Sequence, residues 1–302
     1  MIKNSPLFIA VFYLILLGGA FIQIHESEIN KTYPKKEYIR LKASLGSCRI
    51  IKSTDDKIHV HLIYSFYDDE YLTHFSEEEN ELDLEEEFTV KNPHGKSLWT
   101  ISIPEETKIN FKSGTGGFAA EGVKIKCKVE TGTGSITLDK GEGDFNISTG
   151  TGSINFTNMN GDFKASSGTG SIEVDKSEGA FKLSSGTGSL DIQDIVPKGS
   201  CKFNSGTGSI NVSLSAGSDQ DILIGSGTGN AVLDYKGNPL KGYFEFKAKK
   251  GHGSIISPVK FENEETIREG HEQYYEKTFK INGKNSPVIL IQTGTGVAKL
   301  VK

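Results

Sequence analysis

The tetrapeptide Gly-Thr-Gly-Ser, or a close variant, recurs at Gly114, Gly132, Gly150, Gly168, Gly186, Gly206 and Gly227, with degenerate copies at Gly251 (GHGS) and Gly294 (GTGV). The first five copies are spaced by eighteen residues. A fixed period of this length marks a repeat architecture, in which one unit is too small to hold a core and only the stack is stable. Around Gly150 the chain reads Phe145-Asn146-Ile147-Ser148-Thr149 before the glycines and Ser153-Ile154-Asn155-Phe156 after them. Both segments alternate apolar with polar residues, the pattern of a half-buried strand.

Aligning the copies turns this alternation into columns. Five residues before the first glycine stand Ile109, Cys127, Phe145, Phe163, Phe181, Cys201, Ile222, Phe246 and Ile289; three before it stand Phe111, Val129, Ile147, Ala165, Leu183, Phe203, Ile224, Ala248 and Ile291. After the corner come Ile136, Ile154, Ile172, Leu190, Ile210, Ala231 and Ala298, then Leu138, Phe156, Val174, Ile192, Val212, Leu233 and Leu300. Four apolar side chains per coil therefore point one way, and they cannot by themselves offset the ordering of eighteen residues. Stacking coils at about 4.8 Å lets each strand pair with its copies above and below. Consecutive turns then place parallel strands side by side, and the crossover rule favours one hand. The expected fold is all-β, a right-handed parallel β-helix (β-solenoid) of 18-residue coils. The glycines on either side of Thr suit a corner that needs positive φ, where Ser and Thr hydroxyls can bond backbone groups between rungs.

Composition sets the domain plan. Residues 6–24 are almost unbroken apolar sequence, so residues 1–24 are expected to form a helical targeting segment, either a signal peptide with Gly18 and Ala20 before the cut or an N-terminal membrane anchor. Both options put the bulk of the chain outside the cytoplasm. Lys31, Lys35 and Lys36 would favour the opposite orientation, and Glu26 and Glu28 blur that signal. Residues 25–39 are expected to be a linker and 40–302 the solenoid: irregular first coils over 40–110, regular coils over 111–235 and degenerate coils over 236–302. Two insertions are expected as loops or flaps, an acidic one over 68–87 with eleven carboxylates and no Lys or Arg, and a polar one over 262–276.

The glycine excess, 35 residues against 8 prolines, points to many turns and disfavours collagen. A net charge of −5 with lysines scattered singly along the chain excludes a nucleic-acid partner. Three cysteines, Cys48, Cys127 and Cys201, are too few for a disulfide-stapled fold, and Cys127 and Cys201 are expected as inert core thiols.

The pattern resembles the bacterial presumptive-adhesin family of β-strand repeats, a domain of unknown function in exported and membrane-anchored proteins. The resemblance runs over roughly residues 40–302, on Leu45-Gly46-Ser47, on Ile101-Ser102-Ile103-Pro104 leading into Ile109, and on the serial Ser-Gly-Thr-Gly-Ser coils. It implies a parallel β-helix and an adhesin-like role, and it brings no catalytic residues. The acidic insertion and the interruption before Gly294 depart from the family pattern.

Chemistry is sparse. Gly-Thr-Gly-Ser lacks the lysine and spacing of a phosphate loop and the third glycine of a dinucleotide fingerprint. Asp139, Asp144, Asp162, Asp175 and Asp191 fall at shifting offsets and form no calcium ladder; the acidic insertion is the better place for weak cation binding. His59 and His61 share a strand face, and His74 could complete a metal site, but they read more simply as polar residues on the wet face. His252 replaces a corner threonine. Corner serines abound without an elbow motif or a distinguishable base. Thr115, Thr133, Thr151, Thr169, Thr187, Thr207 and Thr228 align, but each stands singly between glycines, unlike the paired threonines of an ice-binding face. No catalytic, cofactor or metal residue is nominated. The expected function is a non-enzymatic envelope or surface module, adhesin-like or scaffolding, with an envelope or extracellular protein or glycan as partner and membrane contact only through 6–24. The alternatives are a membrane-anchored sensory or regulatory envelope domain with a cation- or partner-sensitive acidic loop, and a polysaccharide-active solenoid enzyme.

Overall fold

The computed structural model describes residues 11–15 and 22–302, with side chains from Glu26 onward. Every regular element among them is a strand, and the chain divides into two compact units that meet between Gly134 and Ser135. The expected N-terminal helix falls mainly outside the described residues. Its described part, Val11–Ile15, is a strand antiparallel to the start of Ile22–Pro34.

In the second unit, Glu142–Thr151, Asn160–Thr169, Glu178–Thr187, Cys201–Thr207 and Ile222–Thr228 form one parallel sheet in that order. Ile136–Asp139, Ile154–Thr157, Ile172–Asp175, Leu190–Pro197, Ile210–Leu214 and Ala231–Asp234 form the other. This is a parallel β-solenoid, and its rungs are in register as the columns require: Phe145 lies beside Phe163 and Phe163 beside Phe181. The three rings stack, with centroids 5.3 and 4.8 Å apart, and Phe156 from the opposite sheet meets Phe163 edge-on at 5.2 Å. Aromatic rings in such offset and edge contacts add to the burial energy of the column. The wider spacing between the Gly186 and Gly206 copies has a local cause. Glu178 and Gly179 still pair with Val196 and Pro197, eighteen residues on, whereas Lys182 pairs with Lys202, twenty on, so the two extra residues are absorbed between Pro197 and Lys202.

The glycine corners work mainly by close approach. A Cβ at Gly186 would lie 2.7 Å from the carbonyl oxygen of Gly168 in the rung below, although the Gly186 backbone is ordinary; only the second glycine of a corner, such as Gly229 at φ 141°, has positive φ. The buried hydroxyl before each corner ties adjacent rungs together. Ser167, Ser185, Ser205, Ser226 and Thr293 each donate to a glycine carbonyl of the neighbouring rung, Gly152, Gly170, Gly188, Gly208 and Gly229 respectively, at 2.7–2.9 Å. At the opposite corner the left-handed residue is not glycine but Lys140, Asn158, Lys176, Asp194 or Lys236.

Serial stacking fails at the end of the chain. Val288–Val301 pairs in parallel with Ile222–Thr228 and Ala231–Asp234 on one side, and with Gly242–Lys249 and Gly253–Ile256 on the other. The last coil in sequence is therefore inserted beneath the one that precedes it. The register of the Gly251 copy is also corrected: Phe244, not Phe246, lies beside Ile289, and Phe246 lies beside Ile291. Two residues are taken up in the turn at Lys250 and Gly251, so that Gly253 still meets Gly296. The insertion over 262–276, expected as a loop or flap, is a hairpin, Asn263–Glu269 with Glu272–Ile281, whose second strand continues the sheet beyond Gly242–Lys249.

The first unit repeats this device at its own start. Tyr38–Ala43 lies in parallel between Glu81–Phe88 and Lys108–Ser113, and Ser47–Lys52 lies between Ser97–Ile103 and Phe118–Glu121. Beyond these, Tyr71–Glu77 pairs antiparallel with Glu81–Phe88, and Lys57–Tyr64 pairs antiparallel with both Ser97–Ile103 and Ile22–Pro34. The expected linker over 25–39 is thus largely strand, and the acidic insertion over 68–87 is largely a hairpin. An open solenoid end would present unpaired strand edges to other chains; covering the parallel coils with antiparallel hairpins moves those edges onto charged strands.

Candidate functional site

The alternation that fills the core also writes the outer surface. Outward positions line up rung by rung, and on one sheet of the second unit these include the row Asn146, Lys164, Lys182, Lys202 and the row Ser148, Ser166, Ser184, Asn204, Gly225, Gln292. The lysines that look scattered along the chain are therefore neighbours in space: Lys164, Lys182 and Lys202 form an exposed row, with Asp162 two residues before Lys164 on the same face. On the other sheet the corresponding row is Asn155, Glu173, Asp191, Asn211. At the corner, Thr151, Thr169, Thr187, Thr207, Thr228 and Thr295 are in register and exposed, one threonine per rung between glycines.

The residues weighed for metal chemistry do not converge. His59 lies 2.9 Å from Asp55 and 3.2 Å from Thr32, His61 lies 2.9 Å from Glu28, and His74 lies 2.7 Å from Glu87. Each imidazole thus has its own carboxylate. Among the described residues no group of three or more His, Cys, Asp or Glu side chains could hold a metal ion. Asp139 faces Thr157 and Asp175 faces Gln193, so carboxylates in this row are separated by a neutral rung. Asp139 pairs with Lys140 and Asp175 with Lys176 at the left-handed corner. Cys48, Cys127 and Cys201 are buried free thiols. Burial pushes the Cys201 thiol up to about 11, and it raises those of Cys48 and Cys127 further, so none offers a thiolate nucleophile at neutral pH. His252 is exposed at its turn.

The acidic insertion is neither loose nor free. Arg40 engages Glu81 and Asp83, and Lys42 engages Glu85, from the neighbouring strand. Glu86 is buried, 3 % exposed, and both its oxygens are saturated. Oε2 accepts from the backbone N–H groups of Ser44, Leu45 and Gly46 at 3.0–3.4 Å, and Oε1 accepts from the Tyr71 hydroxyl at 2.9 Å, the Trp99 indole at 2.7 Å and the Ser97 hydroxyl. A buried carboxylate with this many donors is a structural anchor, since a charge without partners could not remain there. Burial and the Glu86 charge push the Tyr71 hydroxyl well above its usual range, which keeps it a donor. A Cβ at Gly46 would lie 2.6 Å from Ser97 Oγ and within the Glu86 carboxylate, so the opening Leu45-Gly46-Ser47 element needs its glycine here. The sequence reading missed this anchor. The parity that places Leu82 and Leu84 inside continues to Glu86, and that was the available signal.

No helix among the described residues is long and apolar enough to cross a membrane. No curated protein matches the chain. Three solved structures resemble it over nearly their whole length. A presumptive cell adhesion protein from Clostridium sporogenes shows 16% identity and a TM-score of 0.29, covering 91% of this chain and 98% of its own. A presumptive adhesin from Parabacteroides merdae shows 12% identity and a TM-score of 0.41, covering 92% and 96%. One from Bacteroides fragilis shows 13% identity and a TM-score of 0.38, covering 91% and 97%. The family model described as Toastrack DUF4097 matches residues 37–289, which contain the Glu86 anchor and the in-register corners from Gly114 to Gly229, and the chain belongs to that family.

Proposed function

We propose that this chain is a non-enzymatic, exported surface or cell-envelope module that binds through the outer rows of its solenoid, adhesin-like or as a scaffold, with residues 6–24 either cleaved or kept as an anchor. The coil is right-handed, as the crossover rule favours. The observation that carries this reading is the register: identical positions repeat rung after rung on an exposed face, so side chains such as Thr151 to Thr295 stand in a straight row on a rigid support. Extended repeat surfaces of this kind suit long or repetitive partners. The sensory or regulatory alternative rests on a cation- or partner-sensitive acidic loop, and the engagement of Glu81, Asp83, Glu85 and Glu86 within the fold speaks against its cation-binding form. Two measurements test the proposal. A C-terminal alkaline phosphatase fusion to the full chain should be active, as that enzyme is only outside the cytoplasm, and beads coated with the full chain should be retained on envelope or extracellular-matrix surfaces above albumin-coated beads. An inactive but stable fusion, or retention equal to albumin, would refute it.

A further inference from the structure

Gly225 lies in the middle of a paired strand, where glycine is normally a loss. Its backbone does not demand glycine. It carries no positive φ, and the atoms nearest to an added Cβ belong to two side chains and not to backbone: Gln292 Nε2 at 3.0 Å, Asn204 Oδ1 at 3.2 Å and Gln292 Cγ at 3.3 Å. The neighbouring outward positions in its row are Ser184, Asn204, Gln292 and Lys247, so Gly225 alone leaves a notch. The notch opens into a recess of about 370 Å³ on the outer face, walled by Asn204, Gln292, Lys247, Glu269 and Tyr274. That is the lower end of the size range of small-ligand sites.

Resting on the surface-binding reading above, we propose that this recess is a subsite for one neutral hexose unit of a glycan. The two amides converge on the same point above Gly225, and among the described residues neither they nor the Tyr274 hydroxyl bond to the protein. Each amide offers a donor and an acceptor side by side, the complement of a pair of adjacent sugar hydroxyls. Tyr274 supplies the one aromatic body in the recess, the partner suited to the C–H face of a sugar ring. The charge selects against acids. The Lys247 ammonium sits 3.1 Å from Glu245, 3.2 Å from Glu269 and 3.3 Å from Glu276, so carboxylates outnumber it and the rim favours hydroxyl donors over anions. A peptide strand has no edge to add to here, because Ile222–Thr228 is paired on both sides.

Saturation-transfer NMR on the full chain tests this with methyl α-D-mannopyranoside, methyl β-D-galactopyranoside and methyl β-D-glucopyranoside, with D-glucuronate as the charged counterpart. Probes run up to roughly 10 mM, since so small an interface binds in the millimolar range. At least one neutral glycoside should receive saturation. Gly225→Val, which fills the notch from an exposed face, and Tyr274→Ala should each weaken it by about tenfold or more with unchanged circular dichroism, as expected for loss of one good contact. The proposal is overturned if no neutral glycoside binds, if glucuronate binds as well as the neutral probes, or if Gly225→Val binds like the parent. A tetrapeptide probe that receives saturation and loses it in the same variants would also overturn it, assigning the recess to peptide. Bead retention by the parent chain with no glycoside binding would remove the subsite and leave the surface reading standing; glycoside binding without bead retention would do the reverse.

Discussion

Replacing Glu86 by glutamine keeps the shape of the side chain but turns one of its two acceptor oxygens into a donor. The two oxygens receive six donors, three backbone N–H groups on Oε2 and the Tyr71, Ser97 and Trp99 groups on Oε1. An amide NH₂ facing the backbone side would meet three N–H groups that cannot turn round. Facing the other side, it can be accepted by the rotatable hydroxyls of Tyr71 and Ser97, but the indole N–H of Trp99 loses its acceptor. The second arrangement is the less costly. Losing one charge-assisted bond and stranding one buried donor, with weaker bonds from a neutral group elsewhere, sums to about 2–4 kcal/mol. Glu86→Leu strands every donor that cannot rotate and should cost more, about 4 kcal/mol or beyond. Trp99 is the only tryptophan in the chain, is fully buried and touches the carboxylate, so urea unfolding followed by its fluorescence reads the first unit directly. Glu87→Gln, exposed and one residue away, is the control and should fall within about 0.5 kcal/mol of the parent. A Glu86→Gln protein whose midpoint and native emission match those of the Glu87→Gln control would refute the anchor.

Other outcomes follow from the rungs. Gly186→Ala places a methyl 2.7 Å from a backbone oxygen and should cost about 3 kcal/mol or more, or prevent folding, whereas exposed Thr187→Ala should be nearly silent; thermal unfolding by circular dichroism decides, and a tolerated Gly186→Ala would contradict the rung spacing. Phe163→Asp buries an unpaired charge between two stacked rings and should unfold adjacent coils, while Lys164→Asp on the wet face should change stability little; equal damage would contradict the inward and outward assignment. Lys176→Gly relieves a left-handed residue at φ 47° at some cost in unfolded-state entropy, for a net gain of up to about 1 kcal/mol in urea unfolding; a loss would show that the Asp175 pairing outweighs the backbone. A thiol reagent at pH 8 should label none of the three cysteines in the native chain and all three after unfolding, because burial holds them protonated; fast native labelling would place at least one at the surface.

Much of the second unit is legible in the sequence. The eighteen-residue spacing placed Phe145, Phe163 and Phe181 in one stack, and alternation assigned the inner and outer faces correctly through the regular coils. Two features were present in the sequence and overlooked. Lys164, Lys182 and Lys202 share the period as surely as the phenylalanines beside them, and Glu86 shares the parity of Leu82 and Leu84. The two-residue slip that brings Phe244 opposite Ile289 was hidden because Phe246 is equally apolar and the degenerate corner gave no independent register. The Gly225 recess was out of reach, as it needs Tyr274 and Lys247 brought beside Gln292 by pairings no local pattern announces.

Local repetition determined the parallel coil, its corners and its dry columns, because each strand's partner is the preceding copy of itself and the chain has only to turn at glycine to reach it. Tertiary structure alone decided how each unit is finished. Placing Val288–Val301 beneath Gly242–Lys249, and Tyr38–Ala43 between two later strands, is a choice between partners far apart in sequence with similar apolar faces. That choice is settled by which arrangement leaves the fewest strand edges and buried polar groups without a partner, a balance that no single segment of the sequence carries.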